Sequence, residues 1–77
     1  MDKTIREHDP VVLLRDLPNA GLVAGDTGVV VYVYNGVPAF EVEFANPAGH
    51  PRFLVETVDA EALLKLQPRG RAIRTVA

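Results

Sequence analysis

The sequence has no cysteine, no serine and no tryptophan, and each absence removes a class of protein. Without cysteine there can be neither a disulfide nor a thiolate metal site. Without serine, a hydroxyl nucleophile could come only from Thr4, Thr27, Thr57 or Thr75, and none of these stands in a nucleophile context. The two histidines, His8 and His50, are far apart and lack the spacing of metal ligands. No apolar run approaches the roughly 18 residues expected of a membrane helix. The N-terminal segment MDKTIREHDP lacks the apolar stretch of a signal peptide, so a cytoplasmic location is expected. No glycine loop is followed by Gly-Lys-Ser or Gly-Lys-Thr, which argues against phosphate cradling. With no nucleophile, metal site or cofactor motif, the reading is non-enzymatic, without catalytic residues, metal or cofactor.

What is present fits one small domain. The 77 residues are 48% hydrophobic and 23% charged. At this length a single core leaves a thin stability margin, which small proteins commonly widen with disulfides, a metal or a partner subunit. With the first two staples missing, close packing or self-association as a homodimer is expected. Charge is uneven. Residues 1–67 carry five basic and ten acidic side chains, whereas the last ten carry Arg69, Arg71 and Arg74 and no acid. An acidic body is a poor match for a phosphate backbone, so nucleic acid is not the expected partner.

The expected organisation is a polar N-terminal lead-in over residues 1–8, a folded domain over 9–67 and a basic tail over 68–77. Val11 to Arg15 reads as a first strand, bounded by Pro10 and the turn signal Asp16-Leu17-Pro18-Asn19. Asp16 to Asp26 reads as a long loop whose Leu17, Leu22 and Val23 pack onto the body. Thr27 to Tyr34, TGVVVYVY, is the strongest strand signal. Its apolarity on both faces predicts a central strand, buried on one side and covered on the other. Asn35-Gly36 predicts a tight hairpin. In the returning strand, Ala39 to Ala45, Phe40, Val42 and Phe44 alternate with Glu41 and Glu43, an apolar inside against an acidic, solvated outside. Asn46 to Pro51 is a turn, and Arg52 to Val58 a fourth strand. Asp59 to Leu64 predicts one helical turn with Asp59 as its N-cap, followed by a last strand over Leu64 to Gln67. The fold expected is therefore all-β: a small five-stranded SH3-like barrel with one helical turn before the last strand.

Two features point to binding. Tyr32 and Tyr34, spaced by two, share one face of the second strand, as core rings or as an exposed aromatic platform. Gly21-x-x-x-Gly25-Asp26-x-Gly28-x-Val30 places glycines where the loop turns back into that strand, and Asp26 there can accept from backbone amides. The glycine spacing resembles the KOW motif of ribosomal and transcription-elongation SH3-like domains. In RNA-binding KOW domains the loops carry basic residues; here the loop offers Asp16 and Asp26, with Arg15 alone opposing them. The resemblance implies the fold more than the RNA function, and a KOW-like nucleic-acid-binding domain stands as the alternative reading.

Asp9, Val11, Leu13, Asp16-Leu17-Pro18, Gly21-Leu22, Gly25-Asp26-x-Gly28-x-Val30-Val31 and Glu41-Val42-Glu43-Phe44 together form a more specific pattern. It resembles a family of short bacterial proteins catalogued only as a domain of unknown function. The likeness spans residues 9–67; it departs at Phe40, where tyrosine is common, and in the basic tail. It implies an SH3-like fold and no activity. Its genes often stand beside small toxin-like genes, which implies an antitoxin-like partner. A more distant likeness is to the photosystem I accessory subunit and the nitrile hydratase β subunit, barrels that dock on a larger protein. The expected function is a non-enzymatic protein-binding module, an antitoxin-like or accessory subunit with a basic partner. Its expected contact residues are Tyr32, Tyr34, Asp16, Asp26, Arg69, Arg71 and Arg74.

Overall fold

The computed structural model describes residues 4–45 and 53–67. Its elements are β1 (Pro10–Leu13), a 3-10 turn (Pro18–Ala20), β2 (Thr27–Val33), β3 (Ala39–Phe44), β4 (Leu54–Asp59), a second 3-10 turn (Ala60–Ala62) and β5 (Leu63–Lys65). The strands make one antiparallel sheet in the order β4-β3-β2-β1-β5. The protein is thus all-β, with five strands and a 3-10 turn before the last. Short runs of β-branched and aromatic residues favour this pleated surface, and no segment holds a helical period.

The sheet curls over one core. Val11 and Leu13 of β1, Val30 of β2, Phe40, Val42 and Phe44 of β3, Val58 of β4 and Leu63 of β5 are buried together with Leu22 and Ala62. The alternation in β3 is kept, with Glu41 and Glu43 on the opposite face from its three buried residues. Leu22 comes from the long first connection, which closes on itself through a Leu17–Leu22 bridge. That loop is therefore packed, although Val23 is exposed rather than anchored.

Several local expectations are corrected. The β2–β3 connection is not a tight Asn-Gly hairpin: Val33 pairs with Phe40, and the amide of Tyr34 donates to the Ala39 carbonyl at 3.3 Å, outside a four-residue loop. Gly36 has φ +84° but Asn35 is not in the positive-φ region, whereas a type I′ turn needs both. Pro38, with no N–H to give, lengthens the loop. The second helical turn is shorter than its sequence, because Leu63 is drawn into pairing with Leu13. Asp59 makes no capping hydrogen bond; it lies 3.6 Å from Arg15 instead.

Residues 4–8 of the expected lead-in are tied to the sheet. The His8 amide donates to the Val30 carbonyl at 2.7 Å, Ile5 packs on the core, and Lys65 Nζ donates to the Thr4 carbonyl at 3.0 Å. Lys65 also lies 3.3 Å from Asp9, in a half-buried ion pair. The turn at residues 46–51, the start of the fourth strand at Arg52 and the tail with Arg69, Arg71 and Arg74 lie outside the described residues.

Candidate functional site

The position of the two tyrosines is decided by one extra residue in β2. Val30 pairs with Val42, but Tyr32 pairs with Glu41, so Val31 has no partner of its own. This β-bulge changes which face the following residues occupy. In an unbroken strand Tyr32 and Tyr34 would follow the buried Val30 into the core. With the bulge, Val33 faces inward beside Phe40 and the tyrosines face outward beside Glu41. Tyr32 is 49% exposed, and its ring meets that of Tyr34 edge-on, with centroids 5.0 Å apart. Neither ring joins the core: Tyr32 is exposed and Tyr34 half-buried.

Tyr34 is anchored from below. Its hydroxyl donates to Glu41 Oε2, which also accepts from Thr57 Oγ1 at 2.6 Å. These bonds run across three strands, because Glu41 on β3 stands opposite Tyr32 of β2 and Thr57 of β4. The Thr57 hydroxyl first, and the Tyr34 hydroxyl second, hold the Glu41 carboxyl below the usual glutamate range. The same carboxylate pushes the Tyr34 phenol up, because ionising it would break the bond it donates. The sequence reading of both β3 glutamates as ordinary solvated carboxylates is therefore corrected for Glu41.

Two residues further along β3, the Glu43 side chain makes no hydrogen bond or ion pair among the described residues, and Glu43 stands between Val29 of β2 and Val55 of β4. Val29 and Val55 are 41% and 49% exposed. The outer face of β2, β3 and β4 is thus a central acidic line with apolar and aromatic flanks. The expectation that β2 is covered on its second side is not met among the described residues. Sequence alternation alone could point to Glu41 and Glu43; Val29, Val55 and Thr57 become their neighbours only through the register.

The remaining expected contact residues are elsewhere. Asp16 Oδ1 accepts from the Ala24 amide at 2.8 Å and Asp26 Oδ2 from the Val23 amide at 3.0 Å. Both carboxylates therefore serve the turn that leads into β2, where Gly25 takes φ +98°. Asp26 precedes the start of β2 and Tyr32 is near its end, roughly 20 Å away by strand rise. The structure does not bring the aspartates and the tyrosines onto one patch. A separate groove of about 580 Å³, lined by Ile5, Phe40, Ala60, Leu63 and Leu64, offers apolar walls; Lys65 at its rim is already paired. Among the described residues no group of His, Asp and Glu is arranged to hold a metal, and no helix is long and apolar enough to cross a membrane.

The chain matches the family described as Domain of unknown function (DUF4926) over residues 7–65. The chain belongs to this family. The match runs from the turn before β1 to the end of β5 and so takes in every strand. No curated protein and no solved structure matches the chain. The family description assigns no activity.

Proposed function

We propose that this protein is a non-enzymatic protein-binding module, an SH3-like barrel in the bacterial cytoplasm that docks on a larger protein as an antitoxin-like or accessory subunit. The observation that carries this reading is the outer face of β2, β3 and β4, which no described residue covers. There a bulge turns Tyr32 outward, and Glu41, itself braced by Thr57, holds the neighbouring Tyr34 ring in place. Tyrosine with a fixed orientation loses little conformational freedom on binding and supplies a large amphipathic contact. Exposed apolar side chains gathered on one face, rather than scattered, mark interaction surfaces. The docking surface is centred on Tyr32 and Tyr34 and excludes Asp16 and Asp26, which are engaged in their own loop.

The charge pattern favours protein over nucleic acid. Arg15 is 3.6 Å from Asp59 and 4.0 Å from Glu61, and Lys65 is paired with Asp9, so these cations are balanced by nearby carboxylates. A phosphate backbone requires a basic surface. The test is purification of the tagged full chain from its native host, with and without nuclease, followed by mass spectrometry and repeated with Tyr32→Ala. A stoichiometric partner that survives nuclease and is lost with Tyr32→Ala is the expected result. Retention only of nuclease-sensitive material would overturn the reading.

A further inference from the structure

We infer that the outer face of β2, β3 and β4 is a docking track for an extended, basic segment of a partner protein, with Glu41 and Glu43 receiving two cationic side chains. The inference rests on the docking role proposed above and names the chemistry of the occupant.

The argument begins with spacing. Glu41 and Glu43 are two apart on β3, so their side chains rise from one face about 7 Å apart. An extended segment lying along β3 presents its own alternate side chains at the same interval. Arginine or lysine at two such positions therefore meets both carboxylates without distortion, while the residue between them points away. The two acceptors differ in kind. Both bonds that Glu41 receives from its neighbours fall on Oε2, which fixes the carboxylate in place. The Glu43 side chain, in contrast, has no hydrogen bond or ion pair among the described residues.

The flanks suit the stems of such side chains. Val29 and Tyr32 stand on the β2 side and Val55 on the β4 side, directly across from the two glutamates. Lysine and arginine lay their methylene chains along apolar surface while the charged end reaches polar groups. Tyr32 adds a ring face over which a guanidinium can stack. Carboxylates edged by valine and tyrosine are also shielded from part of the solvent, which strengthens their pull on a cation.

Other occupants fit less well. A second copy placed face to face through a two-fold axis would bring the same acidic line against itself, and like charges in apposition are unfavourable. Nucleic acid has the wrong sign. A basic partner segment matches both the charge and the interval.

The experiment uses the full chain and a short synthetic peptide alternating arginine with threonine, alongside a peptide with glutamate in place of arginine. Binding is followed by amide chemical shifts and calorimetry. The expected result is a set of shifts centred on residues 29–32, 41–43 and 55–57, with no binding of the glutamate peptide. Glu43→Gln should weaken binding about twofold to fivefold at low salt, with the fold unchanged, and added salt should weaken it in the wild type. Absence of binding, shifts centred elsewhere, or indifference to Glu43→Gln would each overturn the inference. So would movement of the 41–43 amides without peptide in Arg69→Ser/Arg71→Ser/Arg74→Ser, because the chain's own basic residues would then be the occupant. The docking role is separable: a native partner lost with Tyr32→Ala but retained undiminished by Glu43→Gln would keep the module and remove the basic track.

Discussion

Gly28 should not tolerate even one methyl group, although its backbone is not in the left-handed region. A Cβ built there would lie 2.6 Å from the Glu43 carbonyl, 2.8 Å from Val42 Cγ1 and 2.9 Å from Phe44 Cδ1. The nearest of these is main chain, so no rotamer change relieves it; β2 and β3 must move apart. Overpacking of this kind typically costs about 1–3 kcal/mol, and restricting the unfolded chain by Gly→Ala returns about 0.4–1 kcal/mol. Gly28→Ala should therefore lose about 1–2 kcal/mol, a large fraction of the roughly 4–11 kcal/mol expected for a domain of this length. The midpoint of thermal unfolding should fall by roughly 4–16 °C. Urea unfolding should show a lower midpoint with an unchanged slope. Gly36 separates the two causes, because it has open space around it but φ +84°. Asparagine tolerates positive φ, so Gly36→Asn should be milder than Gly36→Ala, whereas Gly28→Asn should be worse than Gly28→Ala. An unchanged midpoint for Gly28→Ala, or relief by asparagine at Gly28, would refute the close approach of β2 and β3 at this point.

Three further outcomes are expected. Because the folded-state pKa of Glu41 is lowered, its contribution to stability is present above the unfolded value and is lost as pH falls through the folded one. Thr57→Val and, to a smaller degree, Tyr34→Phe should move the Glu41 carboxyl titration upward when followed by NMR; an unmoved midpoint in both would refute the network. Lys65→Met leaves Asp9 half-buried without its cation and should cost about 1–2 kcal/mol in urea unfolding, with faster hydrogen exchange at His8; a loss confined to exchange, without loss of stability, would contradict the pairing. Asp16→Ala and Asp26→Ala should each lose about 1 kcal/mol of stability yet leave partner binding intact at a temperature where the fold is populated; lost binding with full stability would return the aspartates to the docking surface.

The strands were legible in the sequence because their evidence is local. TGVVVYV has no other good conformation, and Phe40, Val42 and Phe44 announce their own inside face. The aspartate that accepts from turn amides was equally local, within three residues of its donor. What escaped is what depends on register. Glu41 meets Thr57 across 16 residues of chain and Lys65 meets Thr4 across 61, and no pattern within one strand encodes either contact. The bulge at Val31 is the hardest case. Period-two reading places Tyr32 and Tyr34 together, which is right, but with Val30, which is not. A strand apolar on both sides gives a pattern-based reading nothing with which to detect the slip.

That double-sided apolarity also bears on why the face exists. Val29, Val31, Tyr32 and Val55 keep between 39% and 49% of their surface exposed in the folded protein. They add less to folding than fully buried side chains of the same size, since the hydrophobic contribution scales with area removed from water. In a domain this small the stability comes instead from the inner side chains, Phe44, Leu13 and Leu22 foremost. The outer flank thus contributes less to the fold than the core does, and an added residue in β2 puts a tyrosine there rather than in the core. An outer surface that no described residue covers, built around carboxylates set in line, is the one that the docking proposed above would use.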